Sequence, residues 1–150
     1  NKGNAQKVNT DKNAAPSFTA QITGYTTDNE TFTLIVKTTL TNNSSDTLTF
    51  LSMSCSWQDL YLTDAAQFFL EGSNCDENGP ILISIAPHKN EERILKLILK
   101  NKTNSSSAPF RIGFHLVRAT KLNYIYIYSQ AKAFWNKKNV IWSNILKLKK

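Results

Sequence analysis

The sequence predicts a single antiparallel β-sandwich, and three observations support this fold class. Apolar and polar residues alternate with a period of two in several short segments, as in strands with one buried face. Asn, Ser, Asp and Pro clusters separate these segments at spacings of roughly 8–15 residues. The chain has 150 residues, 41% of them hydrophobic, which suits one core and is short for two domains. We therefore expect one domain of about seven to nine strands over residues 17–150.

The first 16 residues differ from the rest of the chain. They show no apolar periodicity and end in Ala14, Ala15 and Pro16, which predicts a flexible polar linker. Asn1 is not an initiator, so we expect a preceding segment, either a cleaved signal peptide or the lipidated cysteine of a lipoprotein. The predicted location is the cell envelope, in the periplasm or on the surface. A chain shortened by design is the alternative.

The first half of the domain contains four predicted strands. The clearest alternation places Phe32, Leu34 and Val36 on one face, with Thr33 and Lys37 on the other. The four strands are Ser17–Tyr25, Thr31–Leu40, Thr47–Met53 and Trp57–Leu62.

The second half follows a less regular middle and contains five predicted strands. In one of them Leu95, Leu97 and Leu99 alternate with Lys96 and Lys100, which predicts one buried face and one solvated face. The five strands are Ile81–Ile85, Arg93–Lys100, Phe110–Leu116, Leu122–Tyr128 and Val140–Leu148.

The last 22 residues fit two interpretations. Several apolar residues between 129 and 148 fall at helical spacing, which is typical of an amphipathic helix. Val140, Ile141 and Trp142 instead favour a strand, because β-branched and aromatic side chains fit a pleated surface. We expect a loop or short turn over 129–138 and a strand from residue 140.

One segment carries a resemblance. Thr39–Phe50 runs from a strand through Asn42-Asn43-Ser44-Ser45-Asp46 to a threonine that opens the next strand, and it resembles the B-to-C junction of bacterial immunoglobulin-like sandwiches. Ser52–Trp57, Cys75-Asp76 and Asn139–Asn144 look like parts of uncharacterised cell-envelope proteins. The resemblance implies an immunoglobulin-like sandwich in an exported protein or lipoprotein, with no activity attached. Antibody-type domains are not indicated, because Trp57 follows Cys55 by two residues instead of lying between distant cysteines.

The two cysteines, Cys55 and Cys75, would close a 21-residue loop if they were joined. In an exported β domain we expect a disulfide, worth roughly 3 kcal/mol through the entropy of the unfolded chain. Two free thiols, one buried and one exposed, are the alternative.

No metal or cofactor is expected from the sequence. The spacing of the two cysteines, His88 and His115 matches no paired-ligand zinc pattern. The stretch Asn74–Gly79 resembles the first half of a calcium loop, but an ordinary Asn-Gly turn is the preferred interpretation and a calcium site around Asp76 the alternative.

The sequence gives no support for an enzyme. The five glycines form no nucleophile elbow, no phosphate loop and no dinucleotide-binding motif. Asp59 and Asp64 are a pair of carboxylates five positions apart, and this spacing alone does not indicate a glycosidase. We therefore expect a non-catalytic protein.

Charge is segregated along the chain. Residues 1–92 hold all 11 acidic and five basic residues, a net charge of −6. Residues 93–150 hold 13 basic and no acidic residues, a net charge of +13. Pairing between neighbouring strands would cancel much of this difference. The alternative is a basic face for a polyanion such as a glycan or a lipid headgroup.

Aromatic and basic residues come together near the C-terminus, and they are the predicted ligand-binding residues. Exposed rings stack on sugars, and lysines attract anions over long range. Cross-strand packing inside the sandwich is the alternative, because Ile125 and Ile127 make both faces apolar. Nucleic acid is not expected, since the segment lacks the glycine of an RNA-recognition motif. The predicted binding residues are Tyr124, Tyr126, Tyr128, Trp135, Lys137 and Lys138.

Two functions follow from these observations. The first is an exported binding or structural module for an anionic polymer, an envelope polysaccharide or an envelope protein. The second is a proteinase-inhibitor-like sandwich that presents a loop such as Asp64–Asn78, stabilised by the Cys55–Cys75 link.

Overall fold

The computed structural model describes residues 12–28, 31–100, 108–122 and 139–148. These ranges contain nine β-strands and one short 3₁₀ helix, and every strand pair is antiparallel. The all-β sandwich is confirmed. The strands are β1 Ser17–Asp28, β2 Thr31–Thr41, β3 Leu48–Met53, β4 Tyr61–Thr63, β5 Phe68–Leu70, β6 Pro80–Ile85, β7 Asn90–Leu99, β8 Ile112–His115 and β9 Val140–Trp142, and the helix is Trp57–Leu60.

The first layer is a four-stranded sheet in the order β1-β2-β7-β5. The alternation seen in the sequence sets its two faces, since side chains of a strand point to opposite sides in turn. Leu34 and Val36 of β2 and Leu95 and Leu97 of β7 are fully buried on the inner face. The predicted strands over 31–40 and 93–100 are therefore confirmed, and β7 begins three residues earlier than predicted.

The second layer contains the pair β3-β6 and the three-stranded sheet β4-β8-β9. The chain after β8 connects the two, because the Leu51 amide donates to the Val117 carbonyl at 2.9 Å and the Ala119 amide to the Thr49 carbonyl at 3.2 Å. The core lies between the layers. Phe50 and Phe114 meet edge to face within it, with ring centroids 5.6 Å apart.

One predicted strand is partly wrong. Residues Trp57–Leu60 form a 3₁₀ helix, and only Tyr61–Thr63 continue as strand β4. The 3₁₀ helix repeats every three residues, so Trp57 and Leu60 fall on the same side. Leu60 is buried, and Trp57 packs against the core.

Other elements differ in extent. The three-residue strand β5 lies in the segment that showed no pattern, because three residues are too few to display alternation. The last predicted strand is confirmed only for Val140–Trp142, after which Leu146 returns as an isolated bridge to Phe110. Most of the predicted strand Leu122–Tyr128, the predicted loop over 129–138 and most of the predicted linker lie outside the described residues.

Candidate functional site

A recess of about 250 Å³ lies where β3 meets the chain after β8. It is lined by Thr47–Thr49 on one side and by Arg118–Thr120 on the other. We call this the hydroxyl–arginine recess. Strand alternation explains part of it, since Leu48 and Phe50 are buried in the core while Thr47 is exposed and Thr49 half-buried.

The backbone holds the two sides of the recess together. The Ala119 amide bonds the Thr49 carbonyl at 3.2 Å, and Phe50 and Arg118 form a bridge. Beside this ladder, Leu51, Val117 and Ala119 form a small buried cluster. The recess is therefore built on regular β structure, which fixes the spacing of its side chains.

The chemistry of the recess suits a ligand that carries both hydroxyl groups and anionic oxygens. Threonine hydroxyls both donate and accept hydrogen bonds, whereas the Arg118 guanidinium only donates and is always charged. Thr49 Oγ1 lies 3.0 Å from Ser84 Oγ, which extends the line of hydroxyls to β6. Lys121 follows directly and is exposed, so a second cation stands beside the recess.

The structure does not test the aromatic and basic site predicted from the sequence. Its members, Tyr124, Tyr126, Tyr128, Trp135, Lys137 and Lys138, all lie outside the described residues. The recess was not predicted, because threonines scattered over Thr47–Thr49 and Thr120 show no motif. Its one connection to the predicted binding residues is its place in the chain, because its last residue, Thr120, comes just before the tyrosine-rich segment.

The predicted disulfide between Cys55 and Cys75 is confirmed, and their Cα atoms lie 6.3 Å apart. Four further residues, Asn78, Ser56, Gly79 and Ser54, fasten the same loop. Asn78 Oδ1 accepts hydrogen bonds from the amides of Cys55 and Ser56, both at 3.2 Å, and Asn78 Nδ2 donates to Ser56 Oγ at 2.7 Å. The Gly79 amide donates to Ser54 Oγ at 3.0 Å. We call these four hydrogen bonds the Asn78 clamp.

Between β5 and this clamp, the chain runs through the exposed stretch 71–77, in which only Cys75 is half-buried. Within it, Glu71 forms an ion pair with Lys96, at 3.1 Å between the charged atoms. The loop predicted over Asp64–Asn78 is not free along its whole length. Its first part contains β5, and Asp64 forms an ion pair with Arg111.

Trp57 anchors the other side of the disulfide to the core. The Arg93 guanidinium lies over the Trp57 ring, 5.1 Å from its centroid, and pairs with Glu91. Burial raises the pKa of the neighbouring Tyr61 phenol to about 12. A hydrogen bond with the Thr38 side chain has the smaller, opposite effect and lowers this pKa. The remaining cavity measures about 10 Å³, room for about one water molecule, so this cluster is structural.

Three ion pairs join the two oppositely charged parts of the chain. Arg93, Lys96 and Arg111 from the basic part pair with acidic residues from the first 92 positions. Three of the 13 basic residues in the second part of the sequence are thus paired with acidic residues of the first part. The three acidic partners are Glu91, Glu71 and Asp64, and a fourth pair joins Lys37 to Glu92.

The two histidines lie apart from one another. His88 is in an exposed turn with φ of 58°, and burial lowers the pKa of His115 in β8. Among the described residues, no three His, Cys, Asp or Glu side chains are grouped so that they could hold a metal ion.

In the same ranges no helix has the length and apolar character needed to cross a bilayer.

Comparison with protein-family models, with curated proteins and with solved structures gave no match to this chain.

Proposed function

We propose that this chain is an exported, non-catalytic binding module that recognises an anionic polymer, with anionic envelope glycans as the ligand class. The observation that carries this proposal is the hydroxyl–arginine recess, which offers threonine hydroxyls and the Arg118 guanidinium from a rigid β ladder. Hydroxyls suit the hydroxyl groups of a sugar, and a guanidinium suits sulfate, phosphate or carboxylate oxygens.

Two sequence features extend the proposal. The predicted residues Tyr124, Tyr126, Tyr128, Trp135, Lys137 and Lys138 follow the recess closely in the chain and would add ring stacking and positive charge. The disulfide supports export, because such bonds persist in oxidising compartments. The proposal of a non-catalytic role rests on the lack of catalytic motifs in the sequence.

The test uses dextran sulfate as an anionic polymer and unmodified dextran as its neutral counterpart. Arg118→Gln should weaken dextran sulfate binding by about tenfold, the loss expected for one charge-assisted hydrogen bond. Lys100→Gln is the matched control, because Lys100 is exposed at the end of β7 in the other layer and its loss removes the same charge. Binding should fall by less than about twofold in this control.

Two outcomes would contradict the proposal. Equal losses in Arg118→Gln and Lys100→Gln would mean that binding follows net charge and not the recess. Equal affinity for dextran and dextran sulfate would mean that the anionic groups are not recognised. Both results are read by titration calorimetry on the folded full chain.

A second candidate function is supported by the disulfide loop. The stretch 71–77 is exposed and is fastened by Cys75 and the Asn78 clamp. A loop fixed in this way would lose little conformational entropy when it binds in a protease cleft. A panel of secreted proteases should then include one that is inhibited by the oxidised chain. Inhibition should be lost after reduction and alkylation, and unchanged inhibition would count against the loop.

A further inference from the structure

We propose that Asn78 is a site of covalent self-modification, which the fold holds unreactive while the Cys55–Cys75 disulfide is intact and which reduction of the disulfide opens. The chain contains a single Asn-Gly pair, Asn78-Gly79. Glycine leaves the backbone free to bring its own nitrogen against the preceding side chain, because it has no Cβ to block the approach. The inference concerns the loop and is independent of the recess.

The reaction needs only the chain and water. The Gly79 backbone nitrogen loses its proton and attacks Asn78 Cγ, forming a new C–N bond. The Cγ–Nδ2 bond breaks, and ammonia leaves a five-membered succinimide. Water then opens either carbonyl of the ring, which gives aspartate or isoaspartate at this position.

The Asn78 clamp engages every atom that must move in this reaction. The Gly79 N–H, which must be deprotonated, donates to Ser54 Oγ at 3.0 Å. The leaving nitrogen Nδ2 is held on Ser56 Oγ at 2.7 Å, and Oδ1 receives two backbone amides at 3.2 Å. The ring can therefore close only when the clamp opens, and the rate follows the population of the open loop.

The disulfide sets that population. Cys55 itself supplies one of the amides in the clamp, and Cys75 lies three residues before Asn78. Two equivalents of a small thiol would reduce the Cys55–Cys75 disulfide to two cysteine thiols. The reagent is oxidised to its own disulfide in the same exchange. The loop then regains the freedom that the cross-link removed, so the clamp opens more often.

The two products differ in their fit. Aspartate keeps an oxygen for the amides of Cys55 and Ser56, and Ser56 Oγ can donate to its second oxygen. Isoaspartate adds a carbon to the backbone before Gly79. This shift would break the hydrogen bond that the Ser54 amide donates to the Gly79 carbonyl at 2.8 Å. The loop would lose its fixed shape only with isoaspartate.

The experiment follows the mass gain of the tryptic peptide containing residue 78 in a mildly alkaline buffer. The oxidised chain, the reduced and alkylated chain, and the reduced chain in denaturant are compared. The denatured chain should react fastest, and the reduced, alkylated chain should react roughly tenfold faster than the oxidised chain. Circular dichroism establishes whether the reduced chain is folded.

Ser54→Ala tests the clamp with the disulfide intact, because it removes the acceptor of the Gly79 amide. This variant should react several-fold faster than the parent, whereas Ser73→Ala, an exposed serine of the same loop, should not. The proposal is overturned if the oxidised folded chain reacts as fast as the denatured one. It is equally overturned if Ser54→Ala reacts at the parent rate.

Discussion

At the scale of single residues, the side-chain amide of Asn144 replaces a missing strand beside β1. Asn144 Oδ1 accepts from the Ala20 amide at 2.9 Å, and its Nδ2 donates to the Ala20 carbonyl at 3.1 Å. β1 is the edge of the four-stranded sheet, so these backbone groups would otherwise lack a partner strand. The two layers of the sandwich are tied together at this edge.

Replacing Asn144 by alanine should lower the free energy of unfolding by about 1 to 2 kcal/mol, since two hydrogen bonds are lost at once. Urea denaturation measures the change. Asn74→Ala, in the exposed loop, is the matched control and should stay within about 0.5 kcal/mol of the parent. A loss no greater than that of the control would show that the Asn144 contacts do not stabilise the sheet.

Tyr61 links stability to alkaline pH. Burial raises its pKa from 10.0 to about 12, so the folded state holds the phenol proton more tightly than the unfolded state does. The resulting stability is complete below pH 10.0 and is lost as pH rises towards about 12. The free energy of unfolding, measured by denaturation of the parent and of Tyr61→Phe across this pH window, should decline less steeply in the variant. Parallel declines would contradict the burial of this phenol.

Residue chemistry was only partly readable from the sequence. The Cys55–Cys75 disulfide was predicted correctly, and that prediction rested on the expectation of an exported β domain. The polar cluster Asn42–Asp46 was expected to separate two strands, but the sequence did not indicate that Asn42 would be buried and donate to the carbonyls of Asp46 and Ile85. A buried asparagine and a surface asparagine look the same in composition, and only the tertiary fold distinguishes them.

At the scale of elements, Gly113 shows how tightly β8 is held between its neighbours. A Cβ at this position would meet Val140 Cγ1 at 2.8 Å, Leu62 Cδ2 at 2.9 Å and Trp142 Cζ3 at 3.0 Å. These atoms come from β4 and β9, which flank β8 on both sides. The glycine therefore allows the side chains of both flanking strands to close over the middle strand.

Gly113→Ala should destabilise the fold by about 1 to 3 kcal/mol, the usual cost of overpacking a core. Gly72→Ala makes the matched comparison, because a Cβ there has nothing within 4 Å and should change little. Thermal unfolding of the two variants decides the matter. Equal melting temperatures would mean that β4 and β9 can move apart without cost.

Elements with long alternation were predicted best, namely β2 and β7, because each carries several buried leucine or valine positions at a period of two. Short elements were predicted worst. β5 has three residues, and Trp57–Leu60 forms a 3₁₀ helix in which the Trp57 ring lies beneath the Arg93 guanidinium. That contact is 36 positions apart in sequence, so no local pattern reports it.

At the scale of the whole molecule, charge is arranged differently in space than in sequence. Lys96 and Arg111 pair with Glu71 and Asp64, which are distant in sequence, and Arg93 pairs with Glu91 within β7. Arg111 also lies over the Trp142 ring, 4.7 Å from its centroid. The proposed function uses Arg118, which lines the recess, and Lys121, which follows it in the chain, and both residues are exposed.

The hydroxyl–arginine recess itself could not be predicted from the sequence. Thr47 and Thr49 are separated from Arg118 and Thr120 by about seventy positions, and only the pairing of β3 with the chain after β8 brings them together. The anionic ligand stays a prediction, which rests on the excess of lysine and arginine in the second part of the sequence. Its location depends on the topology.

The most direct test of the proposed function is the salt dependence of dextran sulfate binding by the full chain. If Arg118 and its neighbouring cation contact anionic groups, affinity should fall steeply as salt rises from low to high ionic strength, because exposed charges are screened. In Arg118→Gln the same plot should be shallower. Affinity that stays flat from low to high salt in the parent chain would contradict recognition of an anionic polymer.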